Sequence, residues 1–232
     1  MVATRRELHR QATGDEIKLV ARRQIGEHGA AALSLRAIAA EMGMTAPALY
    51  RYFPSRDDLV TALIVDAFCA LGEAMEAGQS AEPESDYRGR FLSAALAYRS
   101  WAVNHRAEFE LIFGTPIPGY HAPPEVTVPV VRRTFRVLLS IPADAWTVGR
   151  LDPPTPPSAA MTDDRLLAYL SAEGVSLPPA AMRVLLEGWS AMHGMVTLQL
   201  LNHLPPIIGD TAEFYEAAIR AFTDRIGFRS SD

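Results

Sequence analysis

Residues 34–59, SLRAIAAEMGMTAPALYRYFPSRDDL, confine two short helices between enforced stops. Ser34 is of the residue type that accepts a hydrogen bond from a first-turn N–H, and Leu35, Ile38, Ala39 and Met42 follow it at helical spacing. Gly43 ends that run, because glycine takes the left-handed backbone beyond a helix without steric cost. Only Met44 separates it from Thr45, the N-cap of a second segment, TAPALYRYF. Pro47 lies in the first turn of that segment, where a missing N–H costs nothing, and Pro54 terminates it. Ser55 and Asp58 have capping-box spacing and open a long helix through SRDDLVTALIVDAFCALGEAMEAG. Upstream, TGDEIKLVARRQIGEHG predicts a first helix, with Thr13 and Glu16 as its capping box, a stripe of Ile17, Val20, Ala21 and Ile25, and Gly29 as its stop. A helix, a short pair joined by a tight glycine turn, and a long helix form the order of a helix-turn-helix unit.

The rest of the chain also reads as helical. Helices are expected over about 86–104, on to Phe113, over 125–141 and over 162–173, then through AAMRVLLEGWSAMHGMVTLQLLNHL and from Asp210 or Thr211 through DTAEFYEAAIRAFTDRIGF. Pro153, Pro154, Pro156 and Pro157 exclude helix from GRLDPPTPPSAAM, which reads as an exposed, mobile loop. The fold class is therefore all-α: a three-helix helix-turn-helix domain over 1–54 and a larger helical domain over 55–232. No internal repeat is visible. With 49% hydrophobic and 21% charged residues the chain can bury a sizeable core. Its one cysteine, Cys69, excludes an intramolecular disulfide and suits a reducing interior. The polar N-terminus lacks a signal-peptide pattern, and no apolar run approaches the roughly 18 residues of a membrane span. A cytoplasmic protein is expected. The net charge is −5, yet residues 1–60 carry 9 basic against 7 acidic side chains, so the acidic excess lies in the second domain. A less acidic N-terminal end is a mild pointer to DNA.

LSLRAIAAEMGMTAPALYRYFPSRDDLVTAL resembles the N-terminal DNA-binding domain of TetR-type transcriptional regulators. The pattern of small N-cap, Arg, Ile-Ala, Gly, Thr cap, Leu-Tyr, aromatic-Phe, Pro-Ser, basic residue, acidic residues and Leu agrees in order over about 50 residues. RSWAVNHRAEFELIFGTPIPGYHAPPE and GWSAMHG are similar to the C-terminal regulatory domain of one branch of that family, named for its Trp and His-Gly residues, here Trp189, His193 and Gly194. One departure is Pro47, which stands where the family often has glycine. The resemblance implies a dimeric regulator of a double-stranded DNA operator, most often a repressor released by a small-molecule effector.

The residues of the short helix suit that role. Ala46, Pro47 and Ala48 are small and apolar, so the backbone can approach closely and pack on thymine methyls. Tyr50 and Tyr52 can each donate a hydroxyl to a phosphate. Arg51 can reach a guanine or a phosphate, and Arg36, Thr45 and Arg56 are further candidates. Arg5, Arg6 and Arg10 read as a solvated leading tail that adds nonspecific affinity.

The helix carrying Trp189 is apolar nearly all round, so every side of it must be covered. One side can face its own core. The other implies a homodimer, with Gly188, Ala191, Met195 and Leu198 joined by Phe214, Ala218 and Phe222 of the last helix in a two-fold interface. Tyr98, Trp101, His105, Phe109, Phe113, Trp189 and His193 are the candidate lining of a small-molecule pocket, aromatic with a few polar handles, Tyr169 among them. Catalytic motifs are missing: no G-x-S-x-G, no H-E-x-x-H and no phosphate loop occurs, and the six histidines show no metal-ligand spacing. No enzyme activity, cofactor or metal is expected. Two alternatives stay open: a helical carrier or enzyme on the same scaffold, and a DNA binder controlled by a protein partner.

Overall fold

The computed structural model describes residues 4–154, 172 and 174–229. The helix expected over 162–173, Tyr169, Pro156 and Pro157 lie outside the described residues. Among those described there is no β-strand, only one isolated bridge between Leu151 and Phe228. The helices are α1 (Arg5–His28), α2 (Leu35–Glu41), α3 (Ala46–Leu49), α4 (Arg56–Ser80), α5 (Tyr87–Asn104), α6 (Arg106–Phe113), α7 (Pro124–Thr147), α8 (Pro179–Leu200) and α9 (Thr211–Ile226).

Packing divides the chain differently from the expected boundary at residue 54. The first compact unit runs to Ala70 and takes in His105–Val131; the second comprises Leu71–Asn104 and Arg132–Asp232. The physical reason is apolar cover. Ile17, Val20, Ala21 and Ile25 of α1 meet Leu35, Ile38, Leu49, Leu59 and Leu63 in one core, and three short elements cannot close it. Leu111, Ile112 and Phe113 of α6 complete it. The Phe113 ring stands edge-on to Phe68 of α4 at 5.7 Å and lies 5.1 Å from Phe109.

The start of α1 also differs. Thr4 and Glu7 form the capping box, with Thr4 N donating to Glu7 Oε2 at 2.7 Å and Glu7 N donating to Thr4 Oγ1 at 3.3 Å. Thr13, the expected cap, sits inside the helix and donates its hydroxyl to the His9 carbonyl at 3.0 Å. Two candidate boxes compete, and the upstream one wins two more turns of helix.

The α2–α3 turn follows the sequence closely. Ala37 N donates to Ser34 Oγ at 3.4 Å. At the other end Met44 N donates to the Ala39 carbonyl at 2.8 Å and Gly43 N to the Ala40 carbonyl at 3.2 Å. These are the two crossed bonds of a Schellman motif, and they need the positive φ of +65° that Gly43 adopts.

In the second unit α8 buries Met182, Val184, Leu185, Gly188, Met192 and Val196. Gly188 is the contact point with α9: a Cβ there would stand 2.1 Å from the Phe222 ring. Tyr215 of α9, almost wholly buried, donates its hydroxyl to the Ala95 carbonyl of α5 at 3.0 Å. Gly78 does the same service for α4 and α5, since a Cβ would meet the Ser93 carbonyl oxygen at 2.7 Å.

Replacing Gly43 by alanine should cost about 1–2 kcal/mol, the strain of a left-handed L-residue. Urea unfolding would show it as a lower midpoint with an unchanged slope, and an unchanged midpoint would mean the turn relaxes into another form.

Candidate nucleic-acid interface and core cavity

α3 is shorter than the sequence implied. Its helical residues stop at Leu49, and residues 50–52 continue as turns, with Tyr52 N and Phe53 N both donating to the Leu49 carbonyl at 2.8 and 3.2 Å. Pro54 disfavours helical backbone at the residue before it, so the segment cannot extend. Leu49 is the anchor, fully buried in the first unit's core, and Tyr52 and Phe53 pack beside it half-buried. Arg36, Thr45, Pro47, Tyr50 and Arg51 are exposed, while Ala46 and Ala48 are half-buried. The Thr45 carbonyl accepts from Ala48 N and Leu49 N at 2.9 and 3.2 Å, but its hydroxyl makes no capping bond, contrary to its expected cap role.

Two arginines change role. Arg56 was expected beside DNA. Its guanidinium instead donates to the carbonyls of Leu33, Ala30 and Ala31 at 3.2, 2.9 and 3.2 Å. In the 3-10 turn over Ala30–Ala32 the Ala30 carbonyl accepts from Leu33 N at 3.4 Å, and Arg56 adds side-chain donors to it and to the carbonyls of Ala31 and Leu33. Arg10, read as part of a loose tail, is in the second turn of α1. It donates to the Arg51 carbonyl at 3.4 Å and lies over the Tyr52 ring at 6.0 Å. The Thr4–Glu7 spacing was the one signal that could have placed it on a helix.

The residues assigned to a single pocket part into two groups. Phe109 and Phe113 belong to the core of the first unit, and His105 is exposed at the start of α6. In the second unit the Tyr98 hydroxyl lies 2.8 Å from His193 Nδ1. Trp189 stacks on the His193 ring at 5.3 Å and stands edge-on to Tyr98 at 5.4 Å and to Phe135 at 4.7 Å. Burial pushes the Tyr98 phenol well above its ordinary range and holds the His193 imidazole below its own. Burial thus favours the neutral form of both groups. Trp101 is buried on α5.

Beside this cluster is a cavity of about 220 Å³ between α5, α7, α8 and α9. Trp189 lines it; Tyr98, Trp101 and His193 do not. Gly188 and Phe222, expected between two copies of the chain, face this cavity and each other. Of the other residues given to a dimer interface, Ala191, Leu198 and Phe214 are exposed, and Met195 and Ala218 are half-buried. Among the described residues no group of three or more His, Cys, Asp or Glu side chains is placed to hold a metal, and no helix is long and apolar enough to cross a membrane.

One helical unit carries a short helix pair joined at Gly43, anchored by Leu49 and exposed on its outer face, and the other holds an apolar cavity, the two parts of a helix-turn-helix regulatory protein. Residues 19–63 match the family described as bacterial regulatory proteins, tetR family, and residues 91–222 match the tetracyclin repressor-like C-terminal domain. The chain belongs to the TetR family. It is similar to the HTH-type transcriptional regulator Rv1816 of Mycobacterium tuberculosis, 42% identical over 132 residues, which are 57% of this chain and 56% of that protein. The chain thus matches little more than half the length of that relative. Among solved structures it is similar to the regulatory protein SCO4313, with 34% identity and a TM-score of 0.74 over 94% of this chain and 98% of that one. A protein from Rhodococcus sp. RHA1 shares the fold at 24% identity and a TM-score of 0.71, over 92% and 95% of the two chains. The family is one of transcriptional regulators rather than enzymes.

The His193 shift predicts a pH dependence of stability. Below the ordinary imidazole value of about 6.5 the unfolded chain takes up a proton that the folded chain refuses, so stability falls as the pH drops from there toward the folded value. Urea midpoints measured from pH 7.5 to 5 should decline, and His193→Gln should flatten the decline. An equal slope in both proteins would place the acid sensitivity elsewhere.

Proposed function

We propose that this chain is a homodimeric, ligand-responsive repressor that binds duplex DNA through α2 and α3. The observation that carries the reading is the division of labour in α3: Leu49 is sunk in the core, while Thr45, Pro47, Tyr50 and Arg51, with Arg36 of α2, face solvent. Ala46, Pro47 and Ala48 offer methyl and methylene surface to thymine methyls. Tyr50 and Tyr52 are phosphate donors, and Arg36 and Arg51 are the long cations of the surface. Arg10 supports Arg51 and Tyr52 from behind, and Arg56 is a structural tie rather than a DNA contact.

Exposed Ala191, Leu198 and Phe214 support a homodimer through α8 and α9, with Met195 and Ala218 at its margin. Two copies of α3 then meet half-sites roughly 34–36 Å apart, one DNA turn. A small apolar effector bound in the second unit favours an arrangement of α4 that breaks this match and releases the operator. Moving the population from 1:99 to 99:1 takes about 5.5 kcal/mol of differential affinity. The site of action is the cytoplasm.

Binding to a selected palindromic operator tests the reading. Tyr50→Phe should weaken all sequences alike. Arg51→Ala should either lower the salt slope by about one or relax a single base position by about 1–3 kcal/mol. Deoxyuridine in place of thymine at the contacted positions should weaken binding further. Normal affinity throughout this set would remove α3 from the interface.

Charged substitutions on the exposed face test the assembly. Leu198→Asp and Phe214→Asp should yield monomers by sedimentation at low micromolar concentration and lose tight operator binding with it. A stable dimer in both variants would move the interface away from α8 and α9.

A further inference from the structure

We infer that the cavity between α5, α7, α8 and α9 is a binding site for a compact hydrocarbon, a single ring with a short alkyl branch, recognised with no polar anchor. The inference rests on the proposed effector response and specifies its chemistry. The lining decides the class. Apart from the Trp189 indole and the thioethers of Met182 and Met192, no lining side chain among the described residues carries a hydrogen-bonding atom. Two nearby groups that could orient a polar ligand, Tyr98 and His193, lie 2.8 Å from each other, each pack against the Trp189 ring, and are outside the lining. A ligand hydroxyl entering here loses its water and gains no equivalent partner, and a carboxylate or ammonium loses far more.

The size decides the rest. A dry cavity of about 150 Å³ lined by Leu, Ile and Phe admits benzene. This one, at about 220 Å³ and of the same chemistry, leaves room for a few carbons beyond one ring. The two methionines let the wall adapt to branch shape, since the thioether side chain is unbranched and has three rotatable bonds. Phe222 is fixed on the other side, its ring seated on Gly188, where any Cβ would collide with it.

Benzene, toluene, ethylbenzene, butylbenzene and hexylbenzene are the probes, with phenol and benzoate as polar counterparts. Binding is read by thermal shift and by tryptophan emission of the full chain. Affinity should rise about fourfold per added methylene while the branch still fits and then fall once the cavity is full. Phenol should bind roughly tenfold to a hundredfold more weakly than toluene, and benzoate not measurably. Leu185→Phe and Leu138→Phe, each filling the cavity from a different helix, should keep or raise thermal stability and abolish the ethylbenzene response. Benzoate binding as well as toluene, or an unaltered ethylbenzene response in both filled variants, overturns the site. Operator release is measured separately. Alkylbenzene binding without release leaves the site standing and removes its effector role, whereas release by charged compounds alone keeps the effector reading and discards the hydrocarbon site.

Discussion

The hydrogen bond from Met44 N to the Ala39 carbonyl, with the positive φ of Gly43 beneath it, is the constraint on which the outward face of α2 and α3 depends. It turns the chain within two residues, so that a helix of only four residues starts where Leu49 can reach the core. Such a helix has almost no stability of its own, because nucleation is costly and few bonds follow it. Its shape is imposed from outside: by the Gly43 turn before it, by Pro54 after it, by Leu49 below it and by Arg10 on the Arg51 carbonyl. Arg56 stiffens the same unit by tying the start of α4 to the carbonyls of the 3-10 turn over Ala30–Ala32. A surface so short is ordered only because its surroundings leave it one arrangement.

The second unit is organised by a comparable close approach. Gly188 lets the Phe222 ring lie against the backbone of α8, and Phe91 joins that ring at 5.4 Å. The aromatic side chains are then held apart by one another rather than collapsed into a filled core, and the cavity is the space they leave. Trp189 lines this apolar space and also packs against the Tyr98–His193 pair. The Tyr98 hydroxyl and His193 Nδ1 lie within hydrogen-bond distance of each other, which lowers the cost of burying a phenol and an imidazole.

Much of this was legible because it is local. Ser34, Gly43, Pro54 and the Ser55–Asp58 pair act on residues within four positions, and α2 and α4 begin or end where they imply. The failures share one cause. Arg10 meets Arg51 across 41 positions, and Arg56 meets Ala30 across 26; no pattern of spacing reports such pairings. Phe109, Phe113, Trp189 and Tyr98 look alike in a sequence, since an aromatic side chain fits any apolar core, and only packing sorted them into two. Gly188 was expected between two copies of the chain, but the helix packed against it belongs to the same chain. Thr4 was passed over because the Thr13–Glu16 pair sits nearer the apolar stripe, although the Thr4–Glu7 box closes more of the helix.

The shortness of α3 has an evolutionary consequence. The side chain that holds it, Leu49, and the exposed side chains around it, Pro47, Tyr50 and Arg51, are neighbours in sequence with separate duties. Substitution at the exposed positions alters what the surface meets while leaving Leu49, Gly43 and the capping residues untouched. Drift in target preference and preservation of the fold are therefore under independent selection along this stretch, and a lineage of such chains can diversify its targets one residue at a time without passing through an unfolded intermediate.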